Sequence, residues 1–222
     1  MAITRSIFET KDDWSKFRNG LFTASEIHRL LAEPKNKNEG ISQGAKTYVL
    51  ETVANLLAPS EPNYYSQAMD HGNETEPQAV MAFADKHGLD INANDFIYTS
   101  TGGFVFFHDD EQGIGGTPDI IISDAIVEIK CPKSSTHLEY LMLKDFTEIP
   151  KAYYDQMQLN MYLTNRDMGF FISFDDRFYA TKNHIKEIEV KYDSLFMENL
   201  VLTIFIYLKI YPFGKAAGKQ TY

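Results

Sequence analysis

The chain has 222 residues, 44% hydrophobic and 14% aromatic, which suits one core-forming domain and excludes a disordered chain or two large domains. It has no apolar run near the roughly 20 residues of a membrane span, no signal-peptide stretch and one cysteine, so a cytoplasmic protein without a disulfide framework is expected. The net charge of −10 excludes a broadly basic surface; residues 1–50 carry eight basic and six acidic side chains (+2) against −12 for the rest, so any nucleic-acid contact should be local.

Taken in chain order, the pattern predicts a helix over 11–18 and a second over 23–31, where Thr23-Ala-Ser-Glu26 offers a hydroxyl cap. An exposed loop over 32–43 precedes a helix over 44–57, and a further loop spans 59–65. Residues 74–87 read as a helix with Val80, Phe83 and Ala84 at core spacing. Strands follow at 96–100 and 104–108 around Thr101-Gly102-Gly103, then at 119–122 and 125–130 around a tight turn at Ser123-Asp124. Helices are predicted over 136–143 and 151–163, short strands at 168–173, 178–180 and 185–190, a last helix over 192–208 and a polar tail over 214–222. Helices, a mainly antiparallel hairpin sheet and further helices make a mixed α/β domain spanning 1–222, with residues 1–70 as a helical part.

The chemistry is concentrated in Gly116-Thr-Pro-Asp119-Ile-Ile-Ile-Ser-Asp-Ala-Ile-Val-Glu128-Ile-Lys130. Glu128 and Lys130 are two apart on a strand and project from one face. A turn centred on Ser123-Asp124 sets Asp119 across the hairpin from Glu128, roughly 4.5–5.5 Å away at Cβ. Two carboxylates and an ammonium on apolar strands are costly unless paired or bound to metal. Their oxygens suit Mg2+ or Mn2+, which can stabilise charge on a phosphodiester and activate a water. Lys130 can position or deprotonate that water. The plain alternative is a surface hairpin with a cross-strand ion pair.

Three other features bear on this choice. Glu76, at the predicted start of the 74–87 helix, is either a ligand or a first-turn acid complementing the helix dipole. Gln158 and Tyr162, four apart, share one helical face and suit either a ligand-orienting role or ordinary helix surface. Arg18, just before a capped helix start, suits phosphate or is a fortuitous surface arginine. Cys131 reads as a packing residue, the histidines lack the spacing of a zinc site, and Gly113-Ile-Gly-Gly116 lacks the Lys-Ser/Thr of a nucleotide loop.

Four blocks, in order, carry a resemblance: WSKFRNGLFTASEIH, HGNETEPQAV, GGTPDIIISDAIVEIKCP and YYDQMQLNMYLTNR. Together they resemble the lambda exonuclease, or YqaJ-type viral recombinase, family of the PD-(D/E)xK nuclease superfamily. The resemblance implies a restriction-endonuclease-like domain, a central mixed sheet flanked by helices. It implies that Asp119 and Glu128 bind metal, with Glu76 and the Ile129 carbonyl completing up to two Mg2+ sites that Mn2+ can also occupy. Lys130 then assists the attacking water. Gln156 and Gln158 lie near the site, with Gln158 and Tyr162 matching a Q-x-x-x-Y element. Arg18, Ser25 and Thr117 line a pocket for a 5′-terminal phosphate, and Trp14 packs near the substrate strand.

The same resemblance implies a trimeric ring around duplex DNA, digestion of one strand from the 5′ end, and a 3′ overhang taken up by a single-strand annealing protein. One departure stands out. The family's arginine shortly after the catalytic strand has no counterpart in Cys131–His137, where Lys133 or His137 is left to substitute. The alternatives to this exonuclease are an endonuclease of repair or restriction type and a non-catalytic DNA-end-binding subunit.

Overall fold

The chain enters as a strand. The computed structural model describes residues 3–35, 40–58, 67–101 and 103–210. β1 (Thr4–Phe8) leads to α1 (Lys11–Phe17), capped by the Thr10 hydroxyl, which accepts from the Asp13 N–H. β2 (Phe22–Thr23) runs into a 3₁₀ segment (Ala24–Arg29), then come α2 (Gln43–Leu57) and α3 (Gln67–His87). The middle supplies β3 (Ile97–Tyr98), β4 (Phe104–Asp109), β5 (Ile114–Gly116), β6 (Ile120–Ile121) and β7 (Ala125–Lys130). α4 (Ser134–Leu141), α5 (Lys151–Thr164), β8 (Met168–Phe174), β9 (Ile185–Lys191) and α6 (Ser194–Ile210) follow.

These strands form two mixed sheets, ordered β1-β4-β5-β2 and β3-β6-β7-β8-β9, where the sequence led us to expect one. β1, β2 and β5 account for the difference. β2 and β5 are too short to show alternation, and β1 is defined by its antiparallel pairing with β4, a hundred residues away. The 59–65 loop and the 214–222 tail fall outside the described residues. The 23–31 helix is a 3₁₀ segment whose Thr23 hydroxyl makes no cap; instead the Thr23 N–H donates to the Tyr48 hydroxyl. The strand expected at 178–180 is a turn, held by Asp175 accepting from both the backbone and the guanidinium of Arg177. α3 begins at Gln67, so Glu76 sits well inside a helix and does not compensate its N-terminal dipole.

α5 holds the two sheets together, packing on β4 and β5 of one and β7 and β8 of the other. A glycine lets it approach: a Cβ at Gly116 would overlap Asn160 of α5 and Ala24, while one at Gly115 would overlap Phe106 of β4. On one side, Leu159 and Leu163 of α5 join Phe22, Ile27, Val49, Ile114, Leu200 and Ile204. On the other, Met157 and Met161 pack with Ile126, Phe171 and Tyr140. The opposite face of the second sheet, Ile120, Val127, Ile129 and Ile172, is covered by Val80, Phe83 and Ala84 of α3. β7 is thus buried on both faces, as its near-continuous apolar sequence and its parallel pairing with β8 require. Glu128 is an acidic side chain inserted into that core.

Candidate active site

The β6–β7 hairpin has the register Ile120↔Val127 and Ile121↔Ile126 around a turn closed by the Ile122 N–H on the Ala125 carbonyl. Asp119, one residue before β6, donates its N–H to the Val127 carbonyl at 3.1 Å and so sits beside Glu128. There the backbone ladder gives way to a side chain: Asp119 Oδ2 accepts from the Ile129 N–H at 2.6 Å. Thr99 fixes the same point from β3's side, donating its hydroxyl to the Pro118 carbonyl at 2.7 Å and its N–H to the Asp119 carbonyl at 3.0 Å. Glu128 is only 1% exposed, and Lys130 Nζ reaches its Oε1 at 2.6 Å. The Lys130 ammonium also stands 4.9 Å from the centre of the Tyr153 ring.

Glu76 arrives from α3, on the helix face that carries Ala79, Val80 and Phe83 into the core. Its Oε1 accepts from the Tyr98 hydroxyl at 3.0 Å and from Ser100 at 3.4 Å. Tyr98 pairs with Ile120, so β3 carries the residue that holds Glu76 beside the hairpin.

The electrostatics are those of a cluster short of positive charge. Burial, then the Glu128 and Glu76 carboxylates, push Asp119 well above the usual carboxylate range, against Lys130 and the Ile129 N–H. Glu76 is also raised, by burial that outweighs its Tyr98 hydrogen bond, with Glu128 adding to the effect. Burial draws the Lys130 ammonium down, but Glu128 and Asp119 outweigh it and its proton is held more tightly than in free lysine. Cys131 is pushed up to about 12, chiefly by burial and then by Glu76 and Asp119, which makes it an inert packing thiol.

Among the described residues no three histidine, cysteine or acidic side chains converge into a ready-made metal cage. Lys130 occupies Glu128, and Glu76 is tied to Tyr98. The donors nevertheless fit a hard cation. Carboxylates that raise one another's proton affinity are relieved by one, and Mg2+ needs only one or two of them beside its waters. The Ile129 carbonyl shares a strand edge with its own N–H, which is on Asp119.

Of the residues expected from α5, Gln156 reaches the site, and Asn160 stands there in place of Gln158 and Tyr162. Gln156 Nε2 donates to Glu128 Oε1 at 2.5 Å, and Asn160 Nδ2, one turn later, to Oε2 at 3.3 Å. Gln158 is fully buried on another side of the helix, where it donates to the Lys191 carbonyl and accepts from the Asp193 N–H. Tyr162 donates to Asp109 Oδ2 at 3.0 Å, beside the β4–β5 turn. The pair expected at the site therefore clamps the β9–α6 junction and the acidic turn. Two residues of helix rotate a side chain by about 200°, so the pair facing Glu128 is Gln156 and Asn160.

A cleft of about 310 Å³ opens beside Asp119 and Gln156, and Trp14, Arg18, Ser25 and Thr117 line it together with Lys11. The Arg18 guanidinium lies 4.0 Å from the Trp14 ring centre and 5.7 Å from that of Phe106. Its buried Nε has no hydrogen-bond partner, and among the described residues Arg18 makes no ion pair. Burial lowers its proton affinity, partly offset by Tyr48 and Glu26. Trp14 Nε1 and the Thr117 hydroxyl both donate to the Val105 carbonyl, which fixes that wall. Ser25 is exposed at the rim. His137 is elsewhere: fully buried, it bonds Ser173 Oγ at 2.7 Å and the Asn183 carbonyl at 2.8 Å, so it is a structural pin and not a phosphate ligand. Lys133 is exposed just ahead of α4.

The model of the YqaJ-like viral recombinase domain matches residues 13–167, more than half of the chain. The chain belongs to this family. No curated protein sequence matches it. Its fold is similar to that of LHK-Exo, solved in complex with dAMP: TM-score 0.70, 24% identity, 94% of each chain covered. A structure of the alkaline exonuclease LHK-Exo from Laribacter hongkongensis gives the same TM-score of 0.70 at 22% identity, again over 94% of each chain. A phage-related exonuclease from Haemophilus somnus 129PT is similar at TM-score 0.65 and 18% identity, over 88% of this chain and 94% of that one. The YqaJ-family chain thus has the mixed α/β, PD-(D/E)xK-like fold of these exonucleases. Among its described residues no helix is long and apolar enough to cross a membrane.

Proposed function

We propose that this YqaJ-family chain is a metal-dependent exonuclease that digests one strand of linear duplex DNA from its 5′ end and leaves a 3′ overhang for phage-type recombination. The observation that carries the reading is the shared cleft: Arg18, without an anionic partner among the described residues, lines the same cavity as Asp119. A cation-seeking carboxylate cluster and a phosphate-seeking arginine in one cleft fit a scissile phosphodiester next to a terminal phosphate.

Asp119, Glu128, Glu76 and the Ile129 carbonyl hold up to two Mg2+ or Mn2+ ions in this reading. Bound metal supplies charge stabilisation at the phosphate and a water of lowered pKa. The chain's own residues do the rest. Lys130, protonated while it sits on Glu128, donates to the developing oxyanion or orients the water. Gln156 keeps Glu128 aligned until the cation arrives. Trp14 stacks on Arg18 and limits its rotamers, Ser25 brings a hydroxyl to the phosphate, and Thr117, bonded to Val105, shapes the wall. Release of a deoxynucleoside monophosphate agrees with the dAMP of the LHK-Exo complex. A trimeric ring would hold an acidic chain on DNA by enclosure, and an annealing protein in the host cytoplasm would take up the overhang.

The test is hydrolysis of 5′-phosphorylated, 5′-hydroxyl and closed circular duplexes with Mg2+. Mononucleotides from the linear molecules alone, faster from the phosphorylated end, are expected. Cutting of the circle overturns the exonuclease reading, and inactivity with both Mg2+ and Mn2+ overturns catalysis.

A further inference from the structure

Glu128 is held at both oxygens, and the two ends differ. Oε1 receives Lys130 Nζ and Gln156 Nε2, both in part-buried contacts at the cleft. Oε2 points inward and receives Asn160 Nδ2 in a fully buried contact. Asn160 is 0% exposed, and its neighbours along α5, Met157, Leu159, Met161 and Leu163, are apolar and buried. Its amide orientation is set by chemistry, because the reverse would press Oδ1 against a carboxylate.

That orientation leaves Asn160 Oδ1 buried with no partner, directed at Gly116, where any side chain would overlap it. An orphaned buried acceptor is costly and uncommon, and a leucine would fill the position without that cost. What the asparagine provides in return is its N–H on the inner oxygen of Glu128. A terminal carboxylate torsion is otherwise broad, so an unheld Glu128 can turn both oxygens toward Lys130.

Building on the nuclease reading, we propose that Asn160 is a positioning residue of the metal centre: its amide locks the inner Glu128 oxygen so that the outer one alone is presented to the cation, and Gly116 is the socket that admits it. Gln156 and Lys130, on the outer oxygen, are the contacts that must yield when a cation arrives; the Asn160 contact persists. Loss of a partner that orients a ligand typically lowers metal affinity or activity 10–100-fold.

The experiment is calorimetric titration of the full chain with Mn2+ alone, without DNA, for wild type, Asn160→Leu and Asn160→Ala, beside thermal melts and steady-state kinetics. Asn160→Ala carries the test if leucine does not fold, since it cannot overpack. The expected result is Mn2+ affinity weakened about 10–100-fold in a folded variant. The KM for DNA stays unchanged, and kcat recovers in part at high Mn2+. Wild-type affinity in a folded variant overturns the proposal and leaves the nuclease reading standing. A wild-type chain that binds no Mn2+ overturns both.

Discussion

Replacing Asp119 by asparagine should make the metal-free protein more stable while ending its activity. Asp119 adjoins the Ile120↔Val127 pair, beside Glu128, and charges on neighbouring cross-strand residues stand roughly 5 Å apart. At an effective dielectric of about 20, that is about 3 kcal/mol of repulsion, reduced by the Lys130 ammonium. The substituted amide keeps an oxygen to accept the Ile129 N–H, so the hairpin loses no bond. A net gain of about 1–3 kcal/mol is expected near pH 8, or about 2–12 °C in Tm for a chain of this size. The pH dependence follows from the sign of the shift. Asp119 binds its proton more tightly folded than unfolded, so its contribution is fully present below about pH 4 and is lost as pH rises through the folded pKa. The wild-type minus Asp119→Asn stability difference should therefore become more unfavourable between mildly acidic and alkaline pH. Saturating Mg2+ should stabilise wild type and leave the variant unmoved. Thermal melts at several pH values, with EDTA or Mg2+, measure all of this. An Asp119→Asn protein less stable than wild type at pH 8, or equally stabilised by Mg2+, would refute the picture of an acidic cluster awaiting a cation.

Lys130→Met should reduce hydrolysis by about 10²–10⁴-fold with DNA affinity retained, as read by single-turnover kinetics beside equilibrium binding. Gln158→Leu should cost about 2–4 kcal/mol, because it strands the Lys191 carbonyl and the Asp193 N–H, whereas Gln156→Leu should leave the melt nearly unchanged and lower kcat; the reverse pattern would restore Gln158 to the site. His137→Leu should destabilise by a similar amount, about 2–4 kcal/mol, without changing the ratio of rates on 5′-phosphorylated and 5′-hydroxyl ends. Arg18→Ala should reduce that ratio about 10–100-fold, the value of a charge-assisted phosphate contact, in parallel digestions of the two linear duplexes.

The β6–β7 hairpin was legible because everything that determines it is local. A two-residue turn fixes the register, the period of two fixes which side chains share a face, and charges among β-branched residues mark where a core has been interrupted. The first sheet was not legible, because its strands are short and meet partners far along the chain. β2 pairs Phe22 and Thr23 with Ile114 and Gly115, and nothing in either dipeptide encodes the other. Glu76 lies between these cases. Its block is readable, but α3 begins at Gln67, well before the predicted start at residue 74, with Pro77 inside it. Within this longer helix Pro77 removes a donor that the Asn73 carbonyl would otherwise meet.

α5 shows how far spacing alone can be taken. Any two residues four apart on a helix share a face, so Gln156 with Asn160 and Gln158 with Tyr162 are equally good pairs on paper. Only the phase of the helix against its neighbours separates them, and α5 is buried on nearly every side, which leaves no apolar stripe to read. The phase is set instead at Gly116, where a Cβ would overlap the Asn160 side chain. With Asn160 seated against Gly116, Gln156 must face Glu128 one turn earlier and Gln158 must turn to the β9–α6 junction. Gly116, just before Thr117-Pro118-Asp119, is therefore part of the site's construction: it selects which amide of α5 meets Glu128.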